Sequence, residues 1–141
     1  MKLITRNHYL NKLIDVKNTP DIKVITGVRR SGKSKLMDAF IDILEKEENA
    51  NVIRIKLNLK EFEKLKDKEE LYKYVQDHYK KEYTNYLLVD EIQLCTDFEV
   101  IINSLHEEEK FDIYLTGLNA FLLLSDLATL FGGRVFDISM F

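Results

Sequence analysis

Hydrophobic positions along the chain switch repeatedly between the spacing of helices and the spacing of strands. Segments 6–16, 36–44, 71–79, 98–105 and 120–131 carry apolar residues every three to four positions, which predicts helices. Segments 22–25, 52–57, 86–90, 111–116 and 135–141 are short and either apolar or alternating, which is typical of strands. Because strands and helices alternate, the pattern predicts an α/β fold with a mainly parallel sheet.

Two polar segments refine this pattern. Thr96 and Glu99 have the spacing of a capping box, so we expect the fourth helix to begin at Thr96. The charge run 60–70 indicates a solvated face rather than a site.

Composition limits the class of protein. The chain has 141 residues, 45% of them hydrophobic and 32% charged, which suits one globular domain. A net charge of −3 gives no electrostatic footprint for nucleic acid, and no apolar run is long enough to span a bilayer, so we expect no membrane partner and a cytoplasmic protein. The single cysteine, Cys95, is expected to be a buried, reduced core residue. His8, His78 and His106 lack metal-ligand spacing, which favours structural roles.

A glycine-rich segment follows the first predicted strand and leads into a helix. Its ends, Gly27 and Gly32-Lys33-Ser34, fit G-x-x-x-x-G-K-[ST], the loop whose backbone N–H groups cradle nucleotide phosphates. We expect Lys33 to reach the phosphates and Ser34 to offer its hydroxyl to Mg²⁺. The helix N-terminus also favours an anion. The expected nucleotide-binding residues are Gly27, Val28, Arg29, Arg30, Ser31, Gly32, Lys33, Ser34 and Lys35.

Two adjacent acids end the third predicted strand. Asp90 falls at its carboxyl end, where open parallel sheets bind ligands, and is expected to hold Mg²⁺ beside Ser34. Glu91 is then placed to orient or deprotonate a water in line with the γ-phosphate. The pair therefore favours hydrolysis over phosphate binding alone.

The fourth predicted strand ends in Thr116-Gly117-Leu118-Asn119. Thr116 or Asn119 could hydrogen-bond the γ-phosphate or the attacking water. A helix N-cap and a turn glycine explain the same residues equally well.

The ordered motifs resemble an AAA-like ATPase family of bacteria and archaea. Its phosphate loop (Walker A) reads Gly-x-Arg-Arg-x-Gly-Lys-Ser, its Walker B strand ends Asp-Glu-Ile-Gln, and Thr-Gly-Ser-Asn-Ala and Gly-Arg follow. This sequence supplies Gly27 to Ser34, Asp90 to Gln93, Thr116 to Ala120 and Gly133-Arg134 in that order, with Leu118 in place of the serine. That departure makes Thr116 and Asn119 the better sensor candidates.

The resemblance implies the rest of the expected architecture. It implies the strand order 5-1-4-3-2, ATP as the nucleotide, and residues 1–141 as an ATPase domain that is an N-terminal fragment of a longer protein. That longer protein commonly ends in a nuclease-like domain, so a nucleic-acid partner is possible through a region beyond the chain. The strand that the alternation predicts at 135–141 stops abruptly, which agrees with a fragment.

Other functions share the same loop. A small-molecule kinase needs an acceptor pocket and usually a lid, and a GTPase needs an Asn-Lys-x-Asp segment that the sequence lacks. A nucleotide-gated interaction module with negligible turnover stays open. Arg29 and Arg30 could bind phosphate or simply be exposed loop charges. Arg134 could act on a γ-phosphate in its own or a neighbouring subunit of a homo-oligomer, or be a plain surface residue.

Overall fold

Five strands and four α-helices alternate along the chain in a computed structural model that describes residues 2–27, 32–117 and 131–140. The helices are α1 (Lys2–Val16), α2 (Lys33–Leu44), α3 (Lys68–His78) and α4 (Phe98–Glu107). The strands are β1 (Ile22–Gly27), β2 (Ala50–Lys56), β3 (Thr84–Asp90), β4 (Phe111–Gly117) and β5 (Val135–Met140). Short 3₁₀ helices cover Lys60–Lys66 and Ile92–Leu94. The expected helix over 120–131 falls almost wholly on residues 118–130, outside the described residues.

The sheet is parallel throughout and has the order β2-β3-β4-β1-β5. This confirms the expected α/β fold and the expected strand order. Strand β4 lies between β1 and β3, so the carboxyl ends of these three strands meet at one edge of the sheet. Ligands of open α/β sheets bind at that edge.

Each face of the sheet carries its own hydrophobic core, because side chains alternate between faces along each strand. Helices α1 and α2 pack on one face, through Leu13, Leu36 and Phe40 against Leu88 and Tyr114. Helices α3 and α4 cover the other face with a larger apolar cluster. Both faces are thus covered, as an all-parallel sheet requires.

The fourth helix begins differently from the expectation, and the capping-box prediction at Thr96 is wrong. Asp97 is the N-cap of α4, in the left-handed region at φ 57°, and makes no side-chain capping bond. Thr96 therefore lies outside the helix, one position too early to pair with Glu99. A side-chain cap is instead found at α3, where Asp67 accepts a hydrogen bond from the Glu70 backbone N–H. Part of the charge run 60–70 therefore has a structural role as a helix cap.

A buried polar network lies at the amino end of β1 and β4, far from the carboxyl edge. Lys23 is fully buried, and its Nζ donates to Asp112 Oδ1 at 2.6 Å. Asp112 Oδ2 also accepts from the Tyr114 hydroxyl at 2.6 Å and from the Asn18 backbone N–H at 2.8 Å. With several donors around one carboxylate, the network fastens the segment after α1 to the sheet.

Candidate functional site

The carboxyl edge of the sheet brings together the motifs that the sequence singled out. Gly27 ends β1, Gly117 ends β4 and Asp90 ends β3. Thr26 of β1 is level with Gly117 of β4, and Val89 of β3 with Leu115. The phosphate-loop strand and the acidic strand are therefore separated only by β4.

The lysine at the end of the loop, Lys33, contacts the residue at the start of the loop, Gly27. Lys33 is the first residue of α2 and is 7% exposed, and its Nζ donates to the Gly27 carbonyl oxygen at 2.8 Å. Gly32 caps α2 with φ 94°, a left-handed conformation that favours glycine. Gly27 is the last residue of β1 and is level with Met140 of β5. The left-handed conformation of Gly32 gives a physical reason for the glycine at that position.

The first turn of α2 presents the other expected phosphate and metal residues. Ser34 and Lys35 are both exposed there. Because helical residues four apart lie on one side of the helix, Asp38 follows Ser34 on the same side. The expected loop residues Val28, Arg29, Arg30 and Ser31 lie outside the described residues.

Asp90 is the most buried acid of the site, at 4% exposure. Its Oδ2 accepts from Nη2 of Arg54 at 2.9 Å. Its Oδ1 is buried and has no hydrogen-bond partner among the described residues. Burial raises the pKa of Asp90, and the neighbouring Arg54 guanidinium opposes that rise.

Glu91, the next acid, is held by hydrogen bonds of both its backbone and its side chain. Glu91 lies in the left-handed region, at φ 56° and ψ 53°. Its backbone N–H donates to Thr116 Oγ1 at 3.0 Å, and its Oε1 accepts from Gln93 Nε2 at 2.7 Å. Thr116 is buried, with 1% of its surface exposed. Its hydrogen bond with the Glu91 backbone connects the end of β4 to the end of β3. Asn119, the other sensor candidate, lies outside the described residues.

The donor set around Asp90 fits Mg²⁺. The buried Oδ1 is the kind of hard oxygen ligand that Mg²⁺ takes, and such sites use one or two protein oxygens together with phosphates and water. No group of three or more His, Cys, Asp or Glu side chains that could hold a metal occurs in the part of the chain that the structure describes. A metal that arrives with a nucleotide takes its remaining oxygen ligands from the phosphates and from water.

Comparison with known families decides the class of the domain. Residues 19–141 match a family described as an AAA domain. The chain belongs to this family. The matched segment contains the whole carboxyl-edge site of the AAA domain, from Gly27 to Thr116.

One relative matches almost the whole of this chain. An uncharacterized protein of Haemophilus influenzae is 39% identical over 142 residues, which is 99% of this chain and 36% of the relative. The chain thus spans about a third of the relative's length.

Two solved structures share the fold. Cdc6p from Pyrobaculum aerophilum aligns with TM-score 0.61 and 13% identity, over 94% of this chain and 44% of Cdc6p. The genome packaging NTPase B204 from Sulfolobus turreted icosahedral virus 2, solved in complex with ATP-gammaS, aligns with TM-score 0.60 and 21% identity, over 80% of this chain and 72% of B204. At these identities the likeness shows the P-loop NTPase fold alone.

Arg134 does not belong to the site of its own AAA domain. It directly precedes β5, where Val135 is level with Ile22 at the amino end of β1, whereas the loop follows Gly27 at the carboxyl end. With about 3.3 Å per strand residue, the two ends lie roughly 15–20 Å apart. Its exposed guanidinium lies 3.8 Å from Glu107. The own-subunit role is therefore wrong, and the surface interpretation fits.

The remaining single residues take structural positions. Cys95 is 1% exposed, and burial raises the pKa of its thiol to about 11, which confirms a buried thiol. A hydrogen bond joins the His78 ring to the Tyr74 carbonyl, and another joins the His106 ring to the Pro20 carbonyl. Among the described residues, no helix of the AAA domain has the length and apolar character needed to cross a bilayer.

Two side chains of the site were missed from the sequence, Asp38 and Arg54, and Arg54 contacts both Asp38 and Asp90. Gln93 was part of a quoted motif, but no role was predicted for it. The signal for Arg54 was an arginine within an alternating strand. The family resemblance places that strand beside β3, but the register between the two strands was not predictable, so neither was the contact of Arg54 with Asp90.

Proposed function

We propose that this AAA domain binds ATP with Mg²⁺ and hydrolyses it, driving conformational change in a longer protein. The observation that carries the proposal is that the phosphate loop and two acids lie at the same carboxyl edge of the sheet. Asp90, a buried acid whose Oδ1 has no hydrogen-bond partner among the described residues, ends the strand that β4 separates from the phosphate-loop strand. Glu91, whose backbone is tethered to Thr116, follows it directly. Phosphate binding alone does not need two acids there.

Each residue has a distinct role in the proposal. Lys33 moves from the Gly27 carbonyl to the phosphates, exchanging one oxygen acceptor for charged ones, and Ser34 and Asp90 hold the metal. Held by Ser34 and Asp90, Mg²⁺ would supply positive charge that offsets the charge of the phosphates. Glu91 orients the attacking water and accepts its proton, while Thr116 fixes the Glu91 backbone.

The scope of the proposal follows the length of the relatives. The chain spans 36% of the Haemophilus influenzae relative, so the segment that responds to the nucleotide is proposed to lie in the rest of such a protein. Cytoplasmic location, self-association and a nucleic-acid partner stay predictions.

A binding titration tests the proposal. ATP and GTP are titrated with and without Mg²⁺ into the wild type, Lys33→Ala and Lys46→Ala, the last an exposed lysine beyond α2. We expect Mg²⁺ to strengthen ATP binding and Lys33→Ala to weaken it by roughly 10–100-fold, the value of a charge-assisted hydrogen bond. Lys46→Ala should match the wild type. A wild type that binds neither nucleotide, or a Lys33→Ala variant with full affinity, contradicts the proposal.

A further inference from the structure

Arg54 joins two acids on different elements of the site. It lies on β2 and its side chain is 16% exposed. Nη2 contacts Asp90 Oδ2 at 2.9 Å, and Nη1 contacts Asp38 Oδ1 at 3.0 Å. The planar guanidinium thus connects the end of β3 to α2, the helix that begins with the phosphate-binding lysine.

The contact with Arg54 involves only one of the two carboxylate oxygens of Asp90. Oδ2 is occupied by Arg54, and Oδ1 is buried without a partner among the described residues. A carboxylate fixed at one oxygen cannot rotate freely, so Oδ1 keeps one direction. Carboxylates that ligate metals are commonly held in this way by outer-shell hydrogen bonds, whose loss costs 10–100-fold in metal affinity or activity.

We propose that Arg54 is a positioning residue of the metal site. It fixes Asp90 so that Oδ1 faces Mg²⁺ or a water bound to it, and through Asp38 it fixes Asp90 relative to Ser34, one helical turn earlier on α2. This inference rests on the proposed function, because it needs a nucleotide-bound metal at Asp90.

A purely electrostatic role of Arg54 predicts the opposite change in metal affinity from a positioning role, which makes the inference testable. A guanidinium near a divalent cation repels it, so a purely electrostatic role would let metal bind more tightly once Arg54 is removed. Positioning predicts weaker binding. We expect positioning to win, because Arg54 and the metal take different oxygens of one carboxylate and its negative charge lies between them.

The experiment measures Mn²⁺ binding to the full-length protein preloaded with ATPγS, by the loss of the free Mn²⁺ EPR signal. Arg54→Ala should weaken Mn²⁺ binding about 10–100-fold, and Arg54→Lys should restore part of it. Asp38→Asn, which removes the charge of the exposed acid but keeps an oxygen that can accept from Arg54, should stay within about threefold. Metal-free ATPγS affinity should not change, because the two acids that Arg54 contacts, Asp38 and Asp90, are not among the proposed phosphate-binding residues.

The outcomes separate the inference from the function on which it rests. If the wild type binds no Mn²⁺ with ATPγS, the proposed function fails and the inference with it. If the wild type binds Mn²⁺ and Arg54→Ala binds it equally or more tightly, only the inference is overturned. An equal loss of metal-dependent and metal-free ATPγS binding overturns it too, because Arg54 would then be a structural clamp. Thermal unfolding identifies folded variants, and Arg54→Lys decides the matter if Arg54→Ala does not fold.

Discussion

Thr116 offers a sharp test of how the site is held together. Its Oγ1 accepts the Glu91 backbone N–H at 3.0 Å, and the side chain is 1% exposed. Thr116→Val replaces that oxygen with a methyl group of similar size. The variant therefore removes the contact between β3 and β4 while changing the packing little.

The expected size of the effect follows from burial. An unsatisfied buried donor costs about 1–3 kcal/mol, and because Glu91 is only half-buried, we expect the low end of that range. About 1 kcal/mol corresponds to roughly 0.5 M in the urea midpoint at a slope of about 2 kcal/mol/M. If the same energy positions Glu91 in the transition state, kcat falls about fivefold. This stays below the 10²–10⁴-fold that a general base contributes.

The assay compares urea unfolding and steady-state ATP hydrolysis for the wild type, Thr116→Val and Thr116→Ser. We expect Thr116→Val to lose kcat with KM for ATP nearly unchanged, and Thr116→Ser to keep most of the turnover because it keeps Oγ1. A loss confined to KM would instead indicate direct contact with the nucleotide. Serine and valine variants that behave alike would refute the role of the hydrogen bond.

Two further predictions concern groups away from the phosphate loop. Asp112→Ala should destabilise the fold by about 3–5 kcal/mol in urea unfolding, because it leaves the buried Lys23 without its carboxylate partner. The double variant Lys23→Met with Asp112→Leu should recover most of that loss of stability. Equal losses in the single and the double variant would contradict the account of the ion pair. Cys95, with its thiol pKa at about 11 against the ordinary 8.5, should react with iodoacetamide at pH 8 roughly two-hundredfold more slowly in the native protein than in urea. Its native rate should rise as the pH approaches 11, since the raised pKa keeps the thiol protonated below that pH. Equal native and unfolded rates at pH 8 would refute the burial.

The architecture was predictable because its determinants are local. Each apolar strand and helical repeat marks its own segment, and parallel alternation then puts every strand's carboxyl end on one edge. The α/β class and the grouping of Gly27, Asp90 and Thr116 follow from that rule. The strand order came from the family resemblance, since the pattern of a single chain does not specify which strands pair.

The details of the site depend on contacts between distant segments. The contact of Arg54 with Asp90 requires the register of β2 against β3, in which Lys56 is level with Asp90. The start of α4 was misplaced because Asp97 takes a left-handed conformation, and motif spacing carries no information about that backbone angle. The spacing of residues along the chain therefore located the site residues, while the pairing of strands determined the geometry of the site.

The most direct test of the central claim is phosphate release by Glu91→Gln in the full-length protein, beside its ATP affinity in the presence of Mg²⁺. The account predicts that the wild type releases phosphate without an added acceptor, and that Glu91→Gln binds ATP normally while its release falls about 10²–10⁴-fold. Undiminished release from Glu91→Gln would contradict the role of Glu91. A wild type that binds Mg²⁺ and ATP but releases no phosphate would contradict hydrolysis itself and favour a nucleotide-gated module.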